Sequence, residues 1–373
     1  MKMAAILPAL TDPACGLAVR LVHTGQHYDE QMNDAFFRQL GMPRPDDNLG
    51  VGSGSHAQQT AAIMTRFEKV VDEHRPRAIL VVGDVNSTIA CALVAAKKGV
   101  AVIHVEAGLR SYDRAMPEEI NRVLTDQISD FLFTTERHAA DNLHAEGIAR
   151  QRVHFVGNVM IDTLHRLLPQ APTPQEVLAK ALPSSDDAAS LTAGGYGLVT
   201  MHRPSNVDDP EVLERLLRCL GEISAEIPLL FPVHPRTRAR IFGDGRDNSS
   251  RESGLAALLS KTGQRLIALP PLGYLEMLGL MSKATLVLTD SGGIQEETTS
   301  LGVACITMRE NTERPITVTE GTNTIVGSDP EAIRREATAI LGGGGKSGRI
   351  PELWDGRAAE RIAAVLRTHF GSA

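Results

Sequence analysis

Cysteine is scarce. Cys15, Cys91, Cys219 and Cys305 are scattered over 373 residues, with no Cys-x-x-Cys pair. That spacing fits neither a disulfide framework nor a zinc knuckle, and a reducing, cytoplasmic compartment is expected. Positive charge is not in excess either. A net charge of −7 excludes a general nucleic-acid surface, which needs clustered Lys and Arg, so any anion site must be local. No apolar run approaches the roughly 18 residues of a membrane span, and no signal-peptide pattern opens the chain, so no membrane partner is expected. Internal repeats and low-complexity stretches are also missing.

What remains is ordinary for a globular chain: 42% hydrophobic and 22% charged residues. The length exceeds what one core usually serves, so two domains are expected. Strand-like runs alternate with helical periodicity, which predicts an α/β protein with parallel sheets. Strands are expected at Ala18–His23, Ala78–Val82, Ala101–Val105, Phe131–Thr134 and Val153–Val156. A second set follows at Gly197–Thr200, Leu229–Val233, Leu266–Leu269, Thr285–Leu288 and Val303–Thr307. The Pro-, Ser- and Gly-rich stretch 169–195 breaks the alternation and reads as a junction. It separates an N-terminal half, 1–168, from a C-terminal half, 196–356, with a last helix over Arg357–His369. Met1–Leu10 reads as an apolar helix and not as the strand that should open such a domain.

The stretch Ala284–Glu297 organises the rest. Leu286-Val287-Leu288 reads as a buried strand, and Gly292–Leu301 as the helix after it. Ser291, Gly292 and Gly293 would leave backbone N–H groups bare at the helix start, where a phosphate can approach. The bland alternative is a tight turn with a capping serine. The dipole supplies only about 0.3–1 kcal/mol, so a diphosphate would need cations as well. Candidates are the His202-Arg203 corner, His234 with Arg236, and Arg314. Glu296 and Glu297, one turn in, could take ribose hydroxyls.

The N-terminal half offers acids. Asp84 is either a functional carboxylate or a helix-start residue. Glu106 ends a buried strand, which is costly unless it is paired or catalytic. In the helix from Pro117, the positions Ile120, Val123, Leu124 and Ile128 form the expected core stripe. Glu118 and Arg122, at i and i+4, lie opposite it as either a solvated salt bridge or a cleft wall; spacing alone favours the bridge.

These residues, with Thr24–Asp29, His104–Arg110, Thr289–Glu297 and Thr312–Pro315, resemble the non-hydrolysing UDP-N-acetylglucosamine 2-epimerase family over nearly the whole chain. The resemblance implies two Rossmann-like doubly wound domains in a GT-B arrangement, with UDP-sugar in the interdomain cleft. It also implies a homodimer, and a last helix, 357–373, that rejoins the first domain. The implied reaction interconverts UDP-GlcNAc and UDP-ManNAc by eliminating UDP to 2-acetamidoglucal and adding it back. The product would feed cell-surface polysaccharide synthesis. No metal or other cofactor is implied.

By the same resemblance Asp84, Glu106 and Glu118 are acid/base carboxylates, and Arg122 and His202 are further catalytic positions. Ser291, Gly292 and Gly293 hold the diphosphate, Glu297 the ribose, and Arg314 and Lys2 further parts of the substrate. Met277 lies against uracil. Gln26 and His234 are the positions implied for a regulatory second nucleotide sugar. The family opens with a strand and a Gly-Thr-Arg-Pro-Glu-Ala-Ile-Lys loop, of which only Lys2 has a match. A late start and a weakly active or poorly stable chain are therefore expected. Rival readings are an epimerase of a 2,3-diacetamido uronic acid on UDP, a hydrolysing epimerase, a GT-B glycosyltransferase, and an inactive UDP-sugar-binding protein.

Overall fold

The structure, a computed structural model, describes residues 1–25, 37–182, 190–243, 250–259 and 265–371. It divides into two compact units, Met1–Arg166 with Glu352–Ala373, and Leu167–Pro351. No helix among the described residues is long and apolar enough to cross a membrane.

In the first unit β1 (Val22–His23) and β2 (Asp47–Asn48) form a parallel pair of their own. The main parallel sheet runs β3 (Ala78–Val82), β4 (Ala101–Ala107), β5 (Phe131–Thr134) and β6 (Val153–Phe155), in that order. Side chains of a strand alternate between its faces, and β3 shows the consequence. Ala78, Leu80 and Val82 join Ile6 and Leu10 of the Lys2–Thr11 helix and Ile362 and Leu366 of the Ala358–Phe370 helix. Ile79 and Val81 pack on the other face with Ile63, Phe67 and Val94. Helices therefore cover both faces, as a parallel sheet requires. The buried Asp162 carboxylate accepts the Ala358 and Ala359 N–H groups at 3.1 and 2.7 Å, anchoring the start of the last helix to this unit.

The expected strand at Ala18–His23 is confined to Val22 and His23, because its partner β2 is only two residues long. The expected apolar helix at the start is present as Lys2–Thr11.

The second unit holds a parallel sheet of six strands among the described residues, in the order β12-β11-β10-β7-β8-β9. These are β7 (Gly197–Thr200), β8 (Leu229–Pro232), β9 (Leu266–Leu269), β10 (Leu286–Thr289), β11 (Ala304–Thr307) and β12 (Asn323–Ile325). The Pro210–Glu226 helix buries Leu213, Leu216, Leu217, Leu220 and Ile223, spaced as one face of a 3.6-residue helix. Each such leucine is worth about 1.5–3 kcal/mol of transfer free energy. The chain winds outward from β7 through β8 and β9, then returns to β10 on the other side of β7. The strand order thus reverses between β7 and β10, and open α/β sheets bind ligands outside the carboxyl ends of such a switch point. The stretch expected to be a junction contains the Pro174–Ala181 helix, which starts with a Thr173–Glu176 capping box.

Candidate active site

In the first unit, polar groups gather where β3 and β4 end. Glu106 sits at a register break between Val105 and Ala107, with φ 75° and only 4% exposure. A bulged, left-handed, buried glutamate is costly, and such strain concentrates at functional positions. Its Oε2 pairs with Lys2 Nζ at 2.5 Å. Gly83, at φ 72°, accommodates the same ammonium, since an added Cβ would come within 3.1 Å of Lys2 Nζ.

Asp84 is not a helix cap; Val85 holds that position in the Asn86–Lys97 helix. The Asp84 carboxylate instead accepts Arg122 Nε at 3.2 Å and Nη2 at 2.5 Å. Arg122 also pairs with Glu119 through Nη1. Glu119 accepts the N–H groups of Ser111 and Tyr112 and the Ser111 hydroxyl, each at 2.9 Å. Burial pushes the Glu119 carboxyl up, but these donors and Arg122 outweigh it and leave its pKa below the usual value. Behind this array His104, fully buried, bonds Asp126 through Nδ1 at 2.7 Å and the Gly83 carbonyl through Nε2 at 2.8 Å. The Gly83-Asp84 corner is thereby held from below.

The Pro117–Ile128 helix departs from expectation in two ways. The residues it buries are Glu119, Arg122, Thr125 and Asp126. Ile120 and Leu124 are 42% and 50% exposed, so they are not a core stripe. A buried polar face is stable only when its groups are paired, and here the pairs come from Asp84, Ser111, Tyr112, His104 and Arg110. The favoured Glu118–Arg122 bridge does not form either. Arg122 turns to Asp84 and Glu119, and Glu118, half-buried on the same helix, makes no ion pair with the described residues.

In the second unit the switch point carries the other set. His202 follows β7 and Asp290 follows β10, strands joined side by side through Thr200 and Thr289, whose hydroxyls lie 2.6 Å apart. His202 Nδ1 is 2.9 Å from Asp290 Oδ1. The His234 ring lies 5.3 Å from that of His202. Burial, then the neighbouring His202, holds the His234 pKa below its usual value.

Ser291 precedes the Gly292–Leu301 helix without capping it through its side chain. The first-turn N–H groups of a helix have no intrahelical acceptor, so those of Gly292 and Gly293 remain for a ligand. A Cβ at Gly292 would lie 2.6 Å from Glu313 Oε1, so a side chain there would have to displace that carboxylate. The two glutamates one turn in are kept from repelling an anion. Glu296 pairs with Arg314 Nε at 2.8 Å. Glu297 accepts the Tyr274 hydroxyl at 2.7 Å, and burial pushes its pKa up to about 7. Arg309 and Glu313 pair at 2.9 Å. Burial would raise the Glu313 pKa, but Arg314 and Arg309 pull it down to about 2.

Lys2, Asp84, Glu106 and Arg122 are thus brought together in one unit, and His202, Ser291, Gly292, Gly293, Glu297 and Arg314 lie around the helix start of the other. Met277 is half-buried on the Tyr274–Met281 helix, one turn from Tyr274. Gln26 lies outside the described residues. Among the described residues no group of three or more His, Cys, Asp or Glu could hold a metal ion. Sequence reading missed Glu119, Asp126, Tyr274 and Asp290, whose partners are distant or sit in loops.

Residues 11–367 match the family model described as UDP-N-acetylglucosamine 2-epimerase. The chain is 41% identical over 350 residues to a UDP-N-acetylglucosamine 2-epimerase of Methanocaldococcus jannaschii, covering 93% of this chain and 90% of that one. It is 40% identical over 348 residues to a UDP-2,3-diacetamido-2,3-dideoxy-D-glucuronate 2-epimerase of Pseudomonas aeruginosa, covering 89% and 90%. The crystal structure of the Methanocaldococcus jannaschii UDP-GlcNAc 2-epimerase, in complex with UDP-GlcNAc and UDP, superposes with a TM-score of 0.82. That match has 38% identity and covers 98% of this chain and 96% of the other. Likeness at this level through both units goes beyond a shared fold class: the chain belongs to the UDP-N-acetylglucosamine 2-epimerase family.

Proposed function

We propose that the chain is a non-hydrolysing epimerase that interconverts UDP-GlcNAc and UDP-ManNAc. The C2 proton of the sugar is not acidic, because no carbonyl lies beside that carbon, so direct removal and return would be slow. Breaking the C1–oxygen bond solves this. The C2–H electrons form the C1–C2 double bond of 2-acetamidoglucal, the C1–O pair leaves on UDP, and the proton goes to a carboxylate. UDP then adds back with a proton delivered to the opposite face.

The observation that carries this reading is the division of chemistry between the two units. To the first we assign Asp84, Glu106 and Glu118 as acid/base groups, a role supported by the bond of Arg122 to Asp84. The second offers a helix start with free N–H groups, flanked by His202 and Arg314, for a departing diphosphate. Lys2 and Met277 are assigned to substrate contacts, and Glu297 to the ribose. Each carboxylate is worth about 10²–10⁴-fold in rate.

Incubation with UDP-GlcNAc in heavy water tests the reading: UDP-ManNAc carrying deuterium at C2 is expected. Free ManNAc with UDP would instead mark a hydrolytic enzyme, and tight binding without turnover a sugar-nucleotide-binding protein. A second reading, epimerisation of a UDP-linked 2,3-diacetamido uronic acid, is favoured by the 40% identity to the Pseudomonas aeruginosa relative. The two substrates compared side by side decide between them.

The active form is proposed to be a homodimer. The proposed contact includes Ile120 and Leu124, both exposed on the Pro117–Ile128 helix. A cytoplasmic setting is proposed from the four cysteines, all buried and unpaired. Regulation by a second nucleotide sugar at Gln26 and His234 remains part of the same proposal, as does supply of a cell-surface polysaccharide.

A further inference from the structure

We propose that Asp290 is a positioning residue: it fixes His202 in the form that carries its transferable proton on Nε2, facing the departing diphosphate. The inference rests on the epimerase reading given above.

Asp290 is fully buried, whereas the His202 side chain is 37% exposed. One carboxylate oxygen, Oδ2, accepts the backbone N–H groups of His202 and Arg203 at 2.9 and 2.8 Å and Asn206 Nδ2 at 3.2 Å. Oδ1 is then turned to the imidazole, 2.9 Å from Nδ1. The carboxylate cannot rotate away without losing three donors. Burial pushes its pKa up, yet the bonds from His202 and Arg203 leave it lowered, so it stays an acceptor. An acceptor-only partner requires hydrogen on Nδ1. Any proton that His202 gains or gives therefore resides on Nε2, on the opposite edge of the ring.

The neighbouring histidine is set the other way. His234 Nδ1 accepts the Arg236 N–H at 3.2 Å, so its hydrogen lies on Nε2, and burial together with His202 keeps it neutral. Two imidazoles whose rings are 5.3 Å apart are thus prepared for different tasks. Of the two, His202 is the one paired with a carboxylate among the described residues.

As the C1–O bond breaks, its electron pair stays on the diphosphate oxygen, and imidazolium Nε2–H gives its proton to that oxygen. His202 becomes the neutral Nδ1–H tautomer, the form Asp290 favours. The C2 proton is taken separately by a carboxylate of the first unit. On re-addition Nε2 recovers its proton and no redox partner is needed.

A double-mutant cycle with Asp290→Asn and His202→Gln tests this in the chain of 373 residues. Asp290→Asn is expected to lower kcat by about 10²–10⁴-fold, as loss of the right tautomer does in serine proteases, while KM and the Kd for UDP change less than about 3-fold. In the His202→Gln background it should add less than about 3-fold. Full additivity would make Asp290 merely a loop anchor and overturn the inference, as would an Asp290→Asn or His202→Gln enzyme with unchanged kcat. If instead the unmodified chain produces no UDP-ManNAc, it is the epimerase reading that fails. A measurement independent of variant folding is ¹⁵N NMR of the His202 ring in the unmodified protein. The Nδ1–H tautomer is expected for the neutral ring, and a dominant Nε2–H form would overturn the proposal.

Discussion

The guanidinium of Arg122 spans two carboxylates, donating to Asp84 through Nε and Nη2 and to Glu119 through Nη1. Its side chain is 3% exposed. Removing it leaves two acids without their cation, which typically costs about 3–5 kcal/mol at a buried site. Arg122→Ala should therefore unfold at markedly lower urea. Arg122→Lys keeps the charge but not the fork, so much of the stability should return while turnover stays at least about 10²-fold down. Wild-type turnover in Arg122→Lys would show that the orientation of Asp84 is immaterial.

Glu106 allows its backbone strain to be read directly. Glycine in a strand is normally less stable than alanine by about 0.5–1 kcal/mol. At φ 75° the order should reverse, because only glycine occupies that region freely. Both Glu106→Gly and Glu106→Ala should be inactive, with Glu106→Gly the more stable by about 1 kcal/mol. Urea midpoints in the usual order would mean that position 106 carries no strain.

Leu124 and Ile120 separate a surface contact from a core. A core leucine cut to alanine costs about 2–5 kcal/mol, and a charge there costs more. At 50% and 42% exposure, Leu124→Glu and Ile120→Lys should leave the unfolding free energy of the monomer almost unchanged. They should shift sedimentation toward the monomer. A large loss of stability with no change in association would restore the core assignment.

That helix shows where sequence reading stops. Its existence was legible from Pro117 and its 3.6-residue pattern, but its orientation was not. Periodicity assumes that apolar residues face inward, and here Glu119, Arg122, Thr125 and Asp126 take the interior because loop and strand-end partners satisfy them. The parallel strands were legible because runs such as Leu286–Leu288 are apolar throughout. The strands at Asp47–Asn48 and Asn323–Ile325 were not, being two or three residues long and largely polar. Glu106 could be singled out from its place at a strand end. Asp290 could not, since it precedes Ser-Gly-Gly like any turn residue and its partner His202 is 88 residues away.

Glu297 gives a pH signature. Its folded pKa of about 7 lies above its unfolded value, so the folded state binds more protons between about pH 4.5 and 7. Stability from this group is full below the unfolded pKa and is lost as pH rises through the folded one. Glu297→Gln should flatten that decline and stabilise the protein above pH 7 by about 1–3 kcal/mol, while raising KM for the UDP-sugar. A decline that persists in Glu297→Gln would assign it to another group.

The central claim is that the C1–O bond breaks during epimerisation, and a positional isotope measurement tests it most directly. UDP-GlcNAc carrying ¹⁸O in the bridge between C1 and the β-phosphorus is incubated with the enzyme, and the label is followed by ³¹P NMR. Migration of ¹⁸O into the non-bridging β-phosphate positions is expected as UDP-ManNAc forms, because free UDP can rotate before it returns. UDP-ManNAc accumulating with all of its label still in the bridge would contradict elimination and re-addition.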